Sequence, residues 1–282
     1  MVNLGVNPED EVSNAWSNPI TTHILHHSHV ESLVGMCAKR FEFEFVQLLP
    51  RQPTPSDIRM HMGTAGHEVV EQVLNGSAAS LGTIIDTSWE KNVQPYVYDP
   101  ALANKLADEY QKNVEAAISW VSDNLNYRQV NSEMPFLIPN VNKLSPHLNQ
   151  IAADWKFAGK IDLVEFDDVN STAKIIDLKF REKSQYDRNK KSSQSAMYSL
   201  AAMHAGYVPQ FQYVEIIKGR IVEQKIEITE GKIDWLFIKA RQAIGYIEAG
   251  NYPISPNGWW CDKRYCQFFS VCRGKYEPDD EE

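Results

Sequence analysis

The stretch Gly159-Lys160-Ile161-Asp162-Leu163-Val164-Glu165-Phe166, with Lys174-Ile175-Ile176-Asp177-Leu178-Lys179-Phe180 after it, decides the reading of this chain. Each run is short and apolar, and the turn-like segment 167–173 separates them, so two strands are expected. A strand sends residues i and i+2 to one face. Asp177 and Lys179 therefore share a face, while Ile176, Leu178 and Phe180 turn to the other. If the two strands pair, Asp162 joins Asp177 and Lys179 from the neighbouring strand. Two carboxylates and a lysine on one sheet face can hold a divalent cation and activate water for phosphodiester cleavage.

Around this ribbon the periodicity predicts helices and further strands. A helical segment runs from about 29 to 47, ended by prolines 50, 53 and 55. Ser56 is placed to cap a helix over 57–74, and another covers about 100–126 with apolar residues at core spacing. Strands are expected at 134–138, 150–157, 159–166 and 173–180, then a helix at 190–205. A strand pair at 211–217 and 221–228 precedes a last helix over 230–249. The fold class is α/β, with α+β as the alternative: a central mixed sheet flanked by helices. The organisation expected is an N-terminal arm (1–30), one domain (31–275) and an acidic tail (276–282).

On the 57–74 helix, Gly63, His67 and Glu71 lie four apart and share a face. A neutral imidazole is a good metal ligand, so His67 is a candidate to complete a site with Asp162 and Asp177. Structurally, it reads equally as a hydrogen-bonded helix-face histidine, and Glu71 as an outer-shell partner. Gly63 and Gly66 disfavour a helix interior and are expected where something packs close to the backbone. Gln194 and Tyr198, again four apart, are candidates to orient a nucleotide or water, or simply a half-buried pair.

Four cysteines form the second signal: Cys37 upstream, and Cys261, Cys266 and Cys272 within WWCDKRYCQFFSVC. Four thiolates suit one four-coordinate centre, and the lack of a C-x-x-C pair favours a [4Fe–4S] cluster over zinc. Such a centre would join the C-terminus to an N-terminal helix. The histidines His23, His26, His27 and His29 lack a matching ligand frame and are expected as exposed or capping residues.

The net charge of −9 argues against a general, non-specific nucleic-acid binder. It is unevenly spread, however. Lys179, Arg181, Lys183, Arg188, Lys190 and Lys191 make a basic rim beside the acidic pocket, so Arg181, Lys183, Arg188, Lys190 and Lys191 are candidate DNA contacts. The same run also reads as a solvated loop. No run approaches the ~20 apolar residues that cross a bilayer, so no membrane partner is expected. The opening residues lack the basic flank and apolar stretch of a secretory signal, which places the protein in the cytoplasm of a prokaryotic or virus-infected cell.

Taken in order, these pieces resemble the RecB-like branch of the PD-(D/E)XK nuclease superfamily, with its restriction-endonuclease-like core. They are most similar to its iron–sulfur members, such as AddB-like nuclease domains and CRISPR-adaptation exonucleases. The ordered motifs are Cys37, Gly63 to His67, Gly159 to Asp162, Asp177 to Lys179, Gln194 to Tyr198, and the three final cysteines. The resemblance implies Mg²⁺ or Mn²⁺ on His67, Asp162, Asp177 and the Leu178 carbonyl. It gives Lys179 the task of positioning or deprotonating water, and Gln194 and Tyr198 that of arranging substrate. Two departures stand out: Phe180 replaces a small hydroxyl residue, and four residues rather than two separate Cys261 from Cys266. The activity implied is a metal-dependent DNA exonuclease on single strands or duplex ends, in recombination, repair or CRISPR-type processing. The alternatives are a DNA-end-binding adaptor with a decayed site and an endonuclease of the same superfamily.

Overall fold

Strand alternation sets the architecture of the region that holds Asp162 and Asp177. The computed structural model describes residues 19–276 apart from 55, 128, 150, 152 and 153. The acidic tail and residues 1–18 of the expected arm lie outside the described residues. The chain gathers into two compact units. The first draws on Met1–Asp57, Leu137–Gly159 and Glu230–Glu282, and the second on Ile58–Phe136 and Lys160–Thr229.

Labelled in chain order, the main elements begin with β1 (Ile24–Leu25), α1 (Asp57–Leu74), α2 (Leu81–Asn92) and α3 (Pro100–Asn124). There follow β2 (Val130–Ile138), β3 (Lys156–Asp167) and β4 (Thr172–Phe180). The remainder are α4 (Tyr186–Lys191), α5 (Ser193–His204), β5 (Val208–Ile217), β6 (Arg220–Ile226), α6 (Glu230–Ala249) and α7 (Phe269–Tyr276). The fold is α/β, a mixed sheet flanked by helices. The sheet order is β1-β3-β4-β5-β6, with β2 pairing β3 off that path.

In the second unit β3 and β4 pair antiparallel with Leu163 opposite Ile176. β4 and β5 pair parallel over their whole length, Asp177 beside Tyr213 and Lys179 beside Glu215. β5 and β6 form an antiparallel hairpin. Its turn, Lys218-Gly219, has φ of 50° and 75°, the left-handed pair that a two-residue turn between twisted strands requires. One face of the sheet carries Leu163, Ile176, Leu178, Val214 and Ile216 against Val70 of α1 and Ala117, Trp120 and Val121 of α3. A second cluster joins Met62, Ala65 and Val69 of α1 to Ile84 and Ile85 of α2 and to Leu106, Tyr110 and Val114 of α3. Burying side chains of this size contributes roughly 1.5–3 kcal/mol each.

Several boundaries differ from the sequence expectation. Of the strand expected at 150–157, residues 150, 152 and 153 lie outside the described residues, and 151, 154 and 155 are not in a strand. Lys156 instead opens a single twelve-residue strand, and residues 146–149 are turns. The helix expected over 190–205 is two, because Ser192 leaves the helix and its hydroxyl accepts from the Gln194 N–H, capping α5. α2 was not anticipated; Ser80 caps it through the Thr83 N–H.

In the first unit, residues 19–30 of the expected arm are built into structure: β1 pairs parallel with β3, Ile24 beside Lys156. His26 and His29 are buried rather than exposed, and they are capping residues: His26 is the N-cap of the helical turn His27–Val30, and its N–H donates to His29 Nδ1 at 3.3 Å. His29 is wedged against Phe41 and Phe45, and burial pushes its pKa down to about 3, so it is neutral. The helix expected over 29–47 is interrupted at Cys37, which is extended (φ −140°, ψ 111°) between a wide-turn segment, Glu31–Met36, and the α-helical turn Ala38–Phe41; a second wide-turn segment, Glu42–Val46, follows. α6 covers its expected range and buries Leu236, Phe237, Ala240, Ala243, Ile244 and Ile247.

Candidate active site

β4 positions the site through its alternation. Ile176 and Leu178 are held by the core, so Asp177 and Lys179 are turned to the opposite face. Asp177 is fully buried, and Lys179 Nζ stands 2.6 Å from its Oδ2. Asp162 lies one residue beyond the Leu163–Ile176 pair, and its Oδ2 accepts the Leu178 N–H at 2.9 Å. Lys179 Nζ also lies 6.0 Å from the centre of the Tyr213 ring, within reach of its negative face.

α1 brings His67 to the same place. Its Nδ1 is 3.6 Å from Asp162 Oδ2, and the ring hydrogen-bonds the Leu178 main chain. Behind it, Phe180 meets the imidazole edge-on at 5.6 Å. Phe180 fits because residue 66 is glycine: a Cβ there would lie 2.5 Å from Phe180 Cζ. The departure at 180 is thus absorbed by the residue directly before His67 on α1, and Gly66 meets the expectation of close packing. Gly63 does not, since a Cβ at that position meets nothing within 4 Å.

Glu133 is the residue that sequence reasoning missed. Ligand atoms of His67, Glu133 and Asp162 all lie within 4.8 Å of one another, the only such trio among the described residues. Glu133 takes a left-handed backbone (φ 47°) within β2. No motif marks it; the one signal was an acidic residue directly before the apolar run Met134–Ile138. Glu71 acts here through its charge, which raises the Glu133 pKa.

The electrostatics describe a crowded acidic pocket. Burial pushes both Asp162 and Asp177 up to about 6, against the opposing pull of the Lys179 ammonium. Burial, then the Asp162 charge, raises Glu133 as well. Burial and Lys179 lower His67, leaving a neutral imidazole available as a ligand.

Gln194 and Tyr198 lie on one face of α5 and are buried. Gln194 Nε2 donates to Asp177 Oδ1 at 2.6 Å and to the Tyr198 hydroxyl at 3.1 Å. Burial, with the charges of Asp162 and Asp177, holds the Tyr198 phenol well above its ordinary pKa and therefore neutral. The pair thus fixes a carboxylate oxygen.

The basic segment is not uniform. Arg181 turns to the fully buried Glu215 at 2.5 Å and to Asn189 at 2.9 Å. Glu215 also accepts from the Gln185 N–H, Asn189 and Gln224, so four donors satisfy one buried carboxylate. Arg188 donates to Gln185. Lys183 and Lys190 are exposed on the segment that this network ties down.

In the first unit, Cys37, Cys261, Cys266 and Cys272 carry free thiols and line one cavity of about 360 Å³. Phe43, Trp260, Phe268 and Phe269 share its lining. No three of the thiols approach within 4.8 Å of one another. The Ser255 N–H points to Cys37 Sγ at 3.5 Å, and the Phe268 main chain hydrogen-bonds Cys266. Burial raises the Cys266 and Cys272 pKa values.

A family model for the PD-(D/E)XK nuclease superfamily matches residues 27–273. No curated protein matches the chain. Among solved structures, one titled "Crystal structure of SSO0001" is similar at 15% identity, with a TM-score of 0.48, over 95% of this chain and 94% of that one.

Proposed function

The chain belongs to the PD-(D/E)XK nuclease superfamily, and from that premise we propose that it is a metal-dependent DNA exonuclease of the RecB-like branch. It acts on single strands or duplex ends. The observation that carries the reading is the convergence of His67, Asp162, Asp177 and Lys179 on one face of paired strands.

The donor set suits Mg²⁺ or Mn²⁺: hard carboxylate oxygens, one neutral imidazole, and too little positive charge nearby to balance the acids. His67, Asp162, Asp177 and the Leu178 carbonyl would hold the ion, with Glu133 at its edge. When bound, such an ion supplies Lewis acidity and a more acidic water. The protein's own groups do the rest. Gln194 fixes the orientation of Asp177 through Oδ1. Lys179 holds an ammonium beside Asp177, where it offsets the charge that builds on a phosphate in the transition state. Tyr198, kept neutral, donates its proton only as a hydrogen bond. Lys183, Arg188, Lys190 and Lys191 form the proposed rim for the DNA backbone; Arg181 instead anchors it.

The reading extends to a [4Fe–4S] cluster on the four thiols. Zinc bound tetrahedrally by thiolates draws the sulfurs to within ~4 Å of one another. No three of these thiols lie within 4.8 Å of one another, and they line an aromatic-walled space of about 360 Å³ that suits a larger inorganic group. The Ser255 N–H and the Phe268 main chain, which point at the sulfurs of Cys37 and Cys266, are contacts that a ligating sulfur can keep.

Digestion of 5′- and 3′-labelled single- and double-stranded DNA across a metal panel tests the enzyme. The expectation is Mn²⁺- or Mg²⁺-dependent release of nucleotides from ends, sparing single-stranded circles, and loss of release in Lys179→Ala. Binding of DNA ends without degradation under any metal would overturn it. Anaerobically purified protein should be brown; a colourless sample with one zinc per chain would refute the cluster.

A further inference from the structure

The two glycines of α1 behave differently. Gly66 has a reason inside the protein, because Phe180 occupies the place of its missing side chain. Gly63 has none. It lies in the interior of an eighteen-residue helix, where glycine is among the least favourable residues. Its backbone is helical, so no left-handed conformation demands it. Outside its own helix's neighbouring backbone, a Cβ built on it meets no atom within 4 Å; the same holds for Gly245 within α6, so what sets Gly63 apart is its place.

Its position gives the vacancy meaning. Gly63 precedes His67 by four residues, which sets it on the same face of α1 about 6 Å along the axis. That face is the one that delivers His67 to Asp162 and Glu133. Six ångströms is one to two nucleotide steps along a strand, at about 3.4 Å per stacked nucleotide. We propose that Gly63 keeps the helix surface bare beside the metal site so that the sugar–phosphate backbone of a single strand can lie against it. Gly63 is then a determinant of substrate binding, admitting a polymer to the ledge that a side chain would fill. Close approach of a ligand to bare backbone is what glycine uniquely permits.

The inference rests on the nuclease reading for its ligand but not for its test. Binding of a fluorescent single-stranded oligonucleotide is measured by anisotropy in Ca²⁺, so that cleavage is not needed for the readout. Gly63→Ala and Gly63→Leu are compared with the parent protein, with melting temperature and Mn²⁺ affinity measured on each. Both substitutions favour the helix, so melting temperatures should hold or rise, and Mn²⁺ affinity should stay unchanged. Oligonucleotide affinity should fall about tenfold in the leucine variant and by less in the alanine variant, the graded response of a steric contact. Parental affinity in a folded, metal-competent Gly63→Leu protein would overturn the inference, whether or not the parent cleaves DNA. A parent that binds but never cleaves, with binding still lost in Gly63→Leu, sinks the nuclease reading and leaves this one standing.

Discussion

Around Asp162 and Asp177 the donors are crowded, charged and held by hydrogen bonds, with ligand atoms of His67, Glu133 and Asp162 inside 4.8 Å of one another. Around the four cysteines they are spread over the walls of a cavity of about 360 Å³ among aromatic rings. The contrast is one of electrostatic cost. Like charges brought together under burial raise each other's pKa, and at neutral pH the metal-free acids oppose folding. Neutral thiols impose no such penalty, so the cavity depends less on what fills it for its charge balance than for its packing. Placing oxygen donors and sulfur donors in separate units lets each keep the surroundings it needs.

Removing an acid breaks the crowded side of this comparison most severely. Asp177→Ala should lower the end-digestion rate at least about a thousandfold. Because a buried charge is deleted, its melting temperature should hold or rise rather than fall. A rate within tenfold of the parent would mean that Asp177 is not a metal ligand.

Acid should do reversibly what that substitution does permanently. Asp162 and Asp177 titrate near 6 when folded, above the ordinary carboxylate value of 3.8. Their contribution to stability is therefore fullest below pH 4 and is lost as pH rises through 6, on the order of 3 kcal/mol each. Metal binding needs both deprotonated, so Mn²⁺ affinity by titration calorimetry should be about a hundredfold weaker at pH 5 than at pH 7.5. Equal affinities at the two values would show that neither acid is a ligand.

A finer test sharpens the edge of the site. Glu133→Gln keeps the shape of the side chain and removes its charge, and should weaken Mn²⁺ binding about tenfold. An unchanged affinity would confine the metal to the other acids. The smallest effect is expected from the other unit. Cys37→Ala should abolish the visible absorption of the proposed cluster, yet change end digestion per folded molecule by less than about twofold. A parallel loss of digestion would tie the two centres together.

Much of this was legible in the residues themselves. The run Lys174–Phe180 revealed its faces because its apolar residues alternate with an acid and a lysine, and α1 and α6 kept their expected bounds. Gln194 and Tyr198 could be paired from helical spacing, but their turn toward Asp177 could not, because it depends on where Ser192 breaks the chain. Glu133 was hidden for a related reason: a left-handed residue inside a strand escapes the alternation rule. Glu215 carries no mark in the strand expected at 211–217, and only the parallel register beside Lys179 reveals it as the anchor of Arg181. The histidines at 26 and 29 were legible as capping residues but not as buried ones, because the rings of Phe41 and Phe45 that enclose His29 come from a segment more than ten residues away.

The tip joining β3 to β4 offers a practical handle. Asp167 closes it by accepting the Val169 and Asn170 N–H groups, and Val169 is 93% exposed. Asp162 and Asp177 each sit five residues back along their strands, some 17 Å away at the usual rise. A dye or surface tether attached at residue 169 would report on single molecules at work while leaving the acids, the lysine and the imidazole undisturbed.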